Sequence, residues 1–412
     1  MKAHVEAYGC TLNFGESREI ECLLEKHGWE LVNDIEGCDL AVLVTCVVIE
    51  TTERAMMKRI RELSSVPRLI ISGCMATAYR QKAESIAPNA VFVAPGDLES
   101  ISNSIGCAKA PFRAETTARG SYSIVPIATG CVGDCAYCIA RIARGELRSR
   151  SVSDIVGRVA AEAQGSPREI QLTAQDTAAF GLDCGSNLPL LVREICALPQ
   201  DFRLRIGMMN PRTALPLKGQ IAEMYLQPKV FKFLHLPVQS ASDTILGRMA
   251  RGYTVSDFET IVETVRSQVP LITLSTDLIV GYPGETIDDH LRNLELIQKV
   301  SPDIVNVTRF SSRPGTKAAQ ADKKVVGWMA KDRSREITEL RFRVAKERND
   351  EWVGRELMAL ATERGKGNST IFRTDEYKQI VVKEQFDLGG YFRVKINDAT
   401  PTYLIGSVGD RR

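Results

Sequence analysis

The sequence holds no run of apolar residues approaching the 18 or so that a membrane-spanning helix needs. It also lacks an excess of either charge. The 53 Lys and Arg face 51 Asp and Glu, a net charge of +2, so no global electrostatic bias imposes a nucleic-acid partner. No signal-peptide pattern opens the chain, which deprives its eleven cysteines of the oxidising setting that disulfides require. A reducing compartment and metal work are expected instead, in a soluble, cytoplasmic protein. The Gly281-Tyr-Pro-Gly284 stretch lacks the Lys-Ser/Thr that ends a phosphate-binding loop, so it reads as a tight turn after a strand. At 412 residues the chain is long enough for two or three domains.

What is present centres on Cys131, Cys135 and Cys138 in the stretch Thr129-Gly-Cys-Val-Gly-Asp-Cys-Ala-Tyr-Cys-Ile. The C-x3-C-x2-C spacing delivers three thiolates from one short loop. A four-iron cluster wants four ligands, so three cysteines leave one iron open to a small molecule. A structural zinc site with a distant fourth ligand, or buried free thiols, would use the same residues.

The segment 1–111 alternates strand and helix signals. Strands are expected at His4–Tyr8, Asp39–Val44 and Arg68–Ser72, and helices at Ser17–Lys26, with Ile20, Leu23 and Leu24 as its stripe, and at Glu53–Leu63. Such alternation predicts a parallel sheet covered on both faces. Cys10, Cys46 and Cys74 each follow one of the three strands. Ligands of open parallel sheets bind beyond the carboxyl ends of the strands, so three thiolates are expected at one edge. Small buried hydrophobes are the competing reading. Cys22, Cys38, Cys107, Cys184 and Cys196 have no such placement and read as packing residues.

A looser stretch at 109–120 leads into the segment 121–350. Six strands are expected there, at Tyr122–Ala128, Glu169–Thr173, Arg203–Met208, Val230–Leu236, Leu271–Ile279 and Ile304–Phe310. Helices such as Val152–Ala163 and Phe258–Ser267 lie between them. Six units fall short of the eight of a closed barrel, so an open, partial (β/α) barrel is predicted. Trp328–Trp352 reads as a long charged helix with Ile337, Leu340 and Val344 as its stripe. The segment 351–412 turns to short β-rich runs, Gln379–Val382 and Tyr391–Ile396 among them, and predicts a small β-barrel of a kind often used on RNA. The fold class is thus α/β with an appended β-barrel.

These residues carry a resemblance to the radical S-adenosylmethionine methylthiotransferases over nearly the whole chain. Tyr8-Gly-Cys-Thr-Leu-Asn13, Thr45-Cys46-Val47 and Ser72-Gly-Cys-Met-Ala76 look like the family's three N-terminal cysteine motifs. Gly130–Cys138 with Ala143-Arg-Gly-Glu-Leu-Arg-Ser-Arg150 is similar to its radical loop and the basic run after it. His235–Asp243, Thr276–Glu285 and Phe310–Thr316 continue the pattern, and the last segment resembles a TRAM domain. One departure is Val44, where the family usually has asparagine. Leu172–Asp183 looks most like the archaeal and eukaryotic branch, which acts on N6-threonylcarbamoyladenosine at tRNA position 37. Other branches act on isopentenyladenosine in tRNA or on a ribosomal-protein aspartate.

The resemblance implies two 4Fe-4S clusters, one on Cys131, Cys135 and Cys138 and one on Cys10, Cys46 and Cys74. The first would bind S-adenosylmethionine on its open iron and, given an electron, leave a 5′-deoxyadenosyl radical; the second would hold the sulfur. Tyr137 would lie beside the cofactor's adenine. Gln175, Asp176, Gln239 and Asp277 occupy strand ends where cofactor contacts are expected, although each also suits a turn or cap. Arg144, Arg148 and Arg150 suit a phosphate or the substrate's carboxylate, or else form a solvated basic loop. His235 reads as a structural hydrogen-bonding residue. The partners implied are a tRNA anticodon stem-loop, a low-potential electron donor protein and a sulfur source. A noncatalytic iron–sulfur RNA-binding sensor is the alternative from another class.

Overall fold

In the computed structural model, residues 1–106, 122–164 and 169–409 are described; Cys107 and the expected loose stretch 109–120 lie outside the described residues. The first unit comprises β1 (Lys2–Ala7), α1 (Thr11–Lys26), β2 (Glu30–Leu31), β3 (Leu40–Thr45), α2 (Glu50–Leu63), β4 (Leu69–Gly73), α3 (Cys74–Ala78), α4 (Arg80–Glu84), β5 (Val91–Phe92) and α5 (Leu98–Ser104). Its strands are parallel in the order β2-β1-β3-β4-β5. All six residues of the central strand β3 are buried, because helices cover both faces. Leu40, Val42 and Val44 pack with Ile20 and Leu24 of α1, while Ala41 and Leu43 pack with Met56, Ile60 and Leu63 of α2.

The second unit follows as β6 (Tyr122–Pro126), β7 (Ala128–Thr129), α6 (Ile139–Arg144), β8 (Arg148–Ser149), α7 (Val152–Gln164), β9 (Glu169–Thr173), α8 (Leu188–Cys196), β10 (Arg203–Ile206), α9 (Pro211–Ala214) and α10 (Lys218–Leu226). It continues with β11 (Phe233–His235), α11 (Asp243–Arg248), α12 (Val255–Gln268), β12 (Thr273–Val280), α13 (Ile287–Val300), β13 (Ile304–Arg309) and α14 (Gly327–Asp350). Parallel sheets β6-β9-β10 and β11-β12-β13 are joined through one parallel bridge, Leu204 to Val230, so the six strands run in chain order. This is the open partial barrel expected. The helices start on their own side chains: Asn187 caps α8, and Thr254 with Asp257 and Thr286 with Asp289 form capping boxes on α12 and α13. Ile337, Leu340 and Val344 of α14 are buried in the main core as their spacing predicts.

Packing fastens the units together from both directions. Gly15 of α1 lies so close to β6 that a Cβ there would stand 2.9 Å from Ile124 Cγ2 and 3.0 Å from Pro126 Cγ. In the other direction, Ile139 and Ala143 of α6 are buried in the first unit's core with Val47, Met75 and Tyr79.

The chain ends in a closed five-stranded barrel of β14 (Glu356–Arg364), β15 (Thr370–Arg373), β16 (Gln379–Val382), β17 (Tyr391–Ala399) and β18 (Leu404–Val408), ordered β14-β15-β16-β18-β17. Phe372, Ile380, Val394, Ile396 and Leu404 fill it. The turn between β15 and β16 docks on the amino-terminal ends of the partial barrel. Tyr377 Oη donates to Glu169 Oε1 at 2.7 Å, Lys378 Nζ to Asp303 Oδ1 at 2.6 Å, and Arg203 Nε to Asp375 Oδ1 at 3.1 Å. No helix among the described residues is long and apolar enough to cross a membrane.

Candidate active site

The loop after β7 carries Cys131, Cys135 and Cys138, each with a donor aimed at its sulfur. Gly133 N donates to Cys131 Sγ at 3.2 Å and Arg251 Nη1 to Cys135 Sγ at 3.1 Å. The backbone N–H groups of Arg141 and Ala140 serve Cys138, which precedes α6. Burial pushes the Cys131 thiol up to about 11 and Cys138 upward too, against these donors. A metal overrides that preference, because a coordinating thiol is deprotonated outright. The loop is pinned to the barrel rim by Ala136 N on Met249 O at 2.9 Å and Ala318 N on Ala136 O at 2.8 Å.

The second trio stands at the carboxyl ends of neighbouring strands β1, β3 and β4, as their order in the sequence suggests. Cys10 is the N-cap of α1, Cys46 follows β3, and Cys74 opens α3. Gly9, at φ +114°, lets the first loop approach the second: a Cβ there would stand 2.6 Å from Cys46 Cβ. Burial raises Cys46 and pushes Cys74 to about 12, and each feels the charge of the other thiols. Asn13 holds the loops, donating to Tyr8 O at 2.6 Å and Thr45 O at 2.9 Å. Thr45 Oγ1 donates to Ser72 O at 2.5 Å and accepts from Met75 N at 3.0 Å. With these in place, Val44 is free to be a core residue of β3. Among the described residues no group of three His, Cys, Asp or Glu is arranged around a single ion. A cubane seats each thiolate on a different iron, and both trios supply the sulfur ligands and hydrogen-bond donors such a cluster takes.

Beside Cys138 opens a cavity of about 240 Å³ lined by Tyr137, Cys138, Gln239 and Asp277 together with Val48 and Ile49 from the loop after Cys46. Three of the expected cofactor residues therefore meet at one place. The Tyr137 ring meets Tyr282 edge-on, 6.3 Å between centroids. Gln239 has φ +69°, a conformation rare for a residue with a side chain, and its backbone pairs with β12 on both sides. Asp277 accepts from His235 Nε2 at 3.1 Å and from Asn306 Nδ2 at 2.7 Å, so His235 has the structural role expected. Gln175 keeps a buried side-chain oxygen without a partner among the described residues, a free acceptor near the strand ends.

Three expectations need correction. Arg144 and Arg150 do not face a substrate: each is spent on a carboxylate of α1. Arg144 grips both oxygens of Glu16 at 2.6 and 2.8 Å, and Arg150 both oxygens of Glu19 at 2.6 and 2.8 Å. Only Arg148 of the basic run remains exposed. Asp176 is a cap rather than a cofactor contact. Its oxygens accept from Ala178 N at 3.2 Å, Asn210 N at 3.0 Å and Thr213 Oγ1 at 2.7 Å, and burial raises its pKa. Arg251 and Arg313 carried no local signal. Arg251 serves Cys135, and Arg313 ties the strand-end loop after β13 to Glu53 of α2 at 2.7 Å.

Residues 2–94 match the family described as Uncharacterized protein family UPF0004, and residues 125–297 match the Radical SAM superfamily. A Pyrococcus abyssi protein named "Probable threonylcarbamoyladenosine tRNA methylthiotransferase" is 37% identical, with 99% of each chain covered. The Homo sapiens threonylcarbamoyladenosine tRNA methylthiotransferase is 28% identical, covering 98% of this chain and 73% of that one. A Dictyoglomus thermophilum tRNA-2-methylthio-N(6)-dimethylallyladenosine synthase is 30% identical over 99% of this chain and 98% of its own. The radical S-adenosylmethionine methyltransferase TsrM from Kitasatospora setae shares the fold, with a TM-score of 0.59 at 15% identity over 77% of this chain and 76% of that one. The chain therefore belongs to the radical S-adenosylmethionine tRNA methylthiotransferases, and it matches members named for threonylcarbamoyladenosine along its whole length.

Proposed function

We propose that the protein inserts a methylthio group at C2 of N6-threonylcarbamoyladenosine at position 37 of tRNA. The observation that carries this reading is the delivery of two cysteine trios to the carboxyl ends of two parallel sheets, with Cys138 of one trio and Val48 and Ile49, which follow Cys46 of the other, lining one cavity. In this reading residues 1–111 hold the sulfur-bearing cluster, 121–350 the radical chemistry and 351–412 the RNA contact. A 4Fe-4S cluster and S-adenosylmethionine belong to the family; the second cluster, on Cys10, Cys46 and Cys74, is part of the proposal. When bound, these groups would supply a 5′-deoxyadenosyl radical and a sulfur donor.

The chain's own residues do the rest. Cys131, Cys135 and Cys138 hold one cluster, and Arg251 and the loop amides offset its negative charge. Tyr137, Gln239 and Asp277 orient the cofactor, while Val48, Ile49 and Phe310 make the wall apolar and exclude water. Exposed Arg148 remains for the substrate. A tRNA substrate, an electron donor protein and a sulfur source make the cytoplasm the site of work.

The test is release of 5′-deoxyadenosine by anaerobically reconstituted protein given dithionite and S-adenosylmethionine. Release raised by tRNA carrying N6-threonylcarbamoyladenosine, above tRNA carrying isopentenyladenosine, is expected. The opposite order would move the chain to the dimethylallyladenosine branch, and no release from protein with intact clusters would favour a noncatalytic sensor.

A further inference from the structure

The radical loop runs directly into α6, and Arg144, the last residue of that helix, is only 3% exposed. Its partners lie mostly on the other unit. Besides the two oxygens of Glu16, Nη2 donates to Asn13 Oδ1 at 2.7 Å and Nη1 to Thr129 Oγ1 at 3.3 Å. The same Asn13 oxygen accepts from Cys10 Sγ at 3.6 Å. A strap between two units would need only the carboxylate. Here the same guanidinium is also tied through Asn13 to the Cys10 thiol, and Asn13 holds the Tyr8 and Thr45 carbonyls of the loops that carry Cys10 and Cys46.

We propose that Arg144 is the positioning residue of the N-terminal trio: through Asn13 it fixes Cys10 against the radical loop, and it raises the reduction potential of the cluster that Cys10 holds with Cys46 and Cys74. The inference rests on the reading that this trio binds a cluster. A cluster ligated by three thiolates gains negative charge on reduction, and a buried cation held against a ligand loop favours the reduced state. The Glu16 carboxylate holds both terminal nitrogens of the guanidinium in place, and Nη2 still reaches Asn13 on the Cys10 side.

The experiment uses the full chain carrying Cys131→Ala, Cys135→Ala and Cys138→Ala, which retains the N-terminal trio alone. Its reconstituted cluster is titrated by potentiometry with an electron paramagnetic resonance readout, with and without Arg144→Gln combined with Glu16→Gln. That pair removes the cation without leaving a buried carboxylate unpaired. The expected result is a reduction equilibrium at least tenfold less favourable, about 59 mV lower for a one-electron couple. Arg144→Lys, which keeps the charge, should restore most of the potential. Glu16→Gln alone leaves the cation uncompensated and should shift the potential the other way, a second measurement should the paired variant not fold. Unchanged potentials with an intact cluster overturn the role of Arg144. A parent chain that takes up no iron instead removes the N-terminal cluster, and with it the reading on which the inference stands.

Discussion

A buried charge persists only where its partner is built for it, and this chain commits two glutamates of α1, Glu16 and Glu19, to arginines of the radical unit. Removing one member leaves an uncompensated charge. Glu19→Ala should therefore lower stability by about 3–5 kcal/mol in thermal or denaturant unfolding, and a loss below about 1 kcal/mol would contradict the pairing. Cys135→Ala should abolish 5′-deoxyadenosine release and halve the bound iron; release at the wild-type rate would remove that trio from the chemistry. Cys46→Ala should spare cleavage yet stop sulfur insertion. The six cysteines were legible in the sequence because spacing and order after strands are local facts. The roles of Arg144, Arg150 and Asp176 were not, because their partners Glu16, Glu19, Asn210 and Thr213 come from distant parts of the chain. Arg251 and Asn13 were passed over for the same reason: each becomes visible only when a sulfur arrives beside it.

At the level of elements, Gly15 sets propensity against packing. Alanine there would favour the helix by about 1 kcal/mol. Its Cβ would stand 2.9 Å from Ile124, and overpacking of that kind costs about 1–3 kcal/mol. Gly15→Ala should thus lower the melting temperature, and a rise would mean that α1 and β6 can part without cost. The strands at Asp39–Val44 and Arg68–Ser72 were read from continuous apolar runs, which a sheet covered on both faces requires, and those of the second unit from their alternation with helices. The two-residue edge strands β2 and β5 and the β7–β8 ribbon were missed, being too short to show any period. Helices α1 and α2 begin several residues before the stripes that revealed them: α1 starts at Thr11, just after Cys10, and α2 at Glu50.

For the whole molecule, the radical-loop thiols lie at the carboxyl ends of the partial barrel and the five-stranded barrel docks at the amino ends. Burial pushes the Asp303 carboxyl up, but Lys378 and Arg348 outweigh it and hold it below its ordinary value. A depressed carboxyl stabilises above its unfolded value, about pH 4, and the contribution is lost as pH falls through the lower folded value. The wild-type stability margin over Asp303→Asn should be constant above about pH 4 and shrink below it; a margin that grew in acid would contradict the docking pair. Arg393 and Lys395 project from the exposed side of β17. Replacing both with glutamine should weaken tRNA binding and reduce the slope of log affinity against log salt by about 1.4–1.8, and an unchanged slope would put the RNA elsewhere. The most direct test of the account is nucleoside mass spectrometry on tRNA bearing N6-threonylcarbamoyladenosine after treatment with reconstituted protein, S-adenosylmethionine and reductant. The account predicts a product in which one methylthio group replaces a hydrogen on the adenine, formed by the wild type and absent with Cys46→Ala; the same product from the Cys46→Ala chain would contradict it.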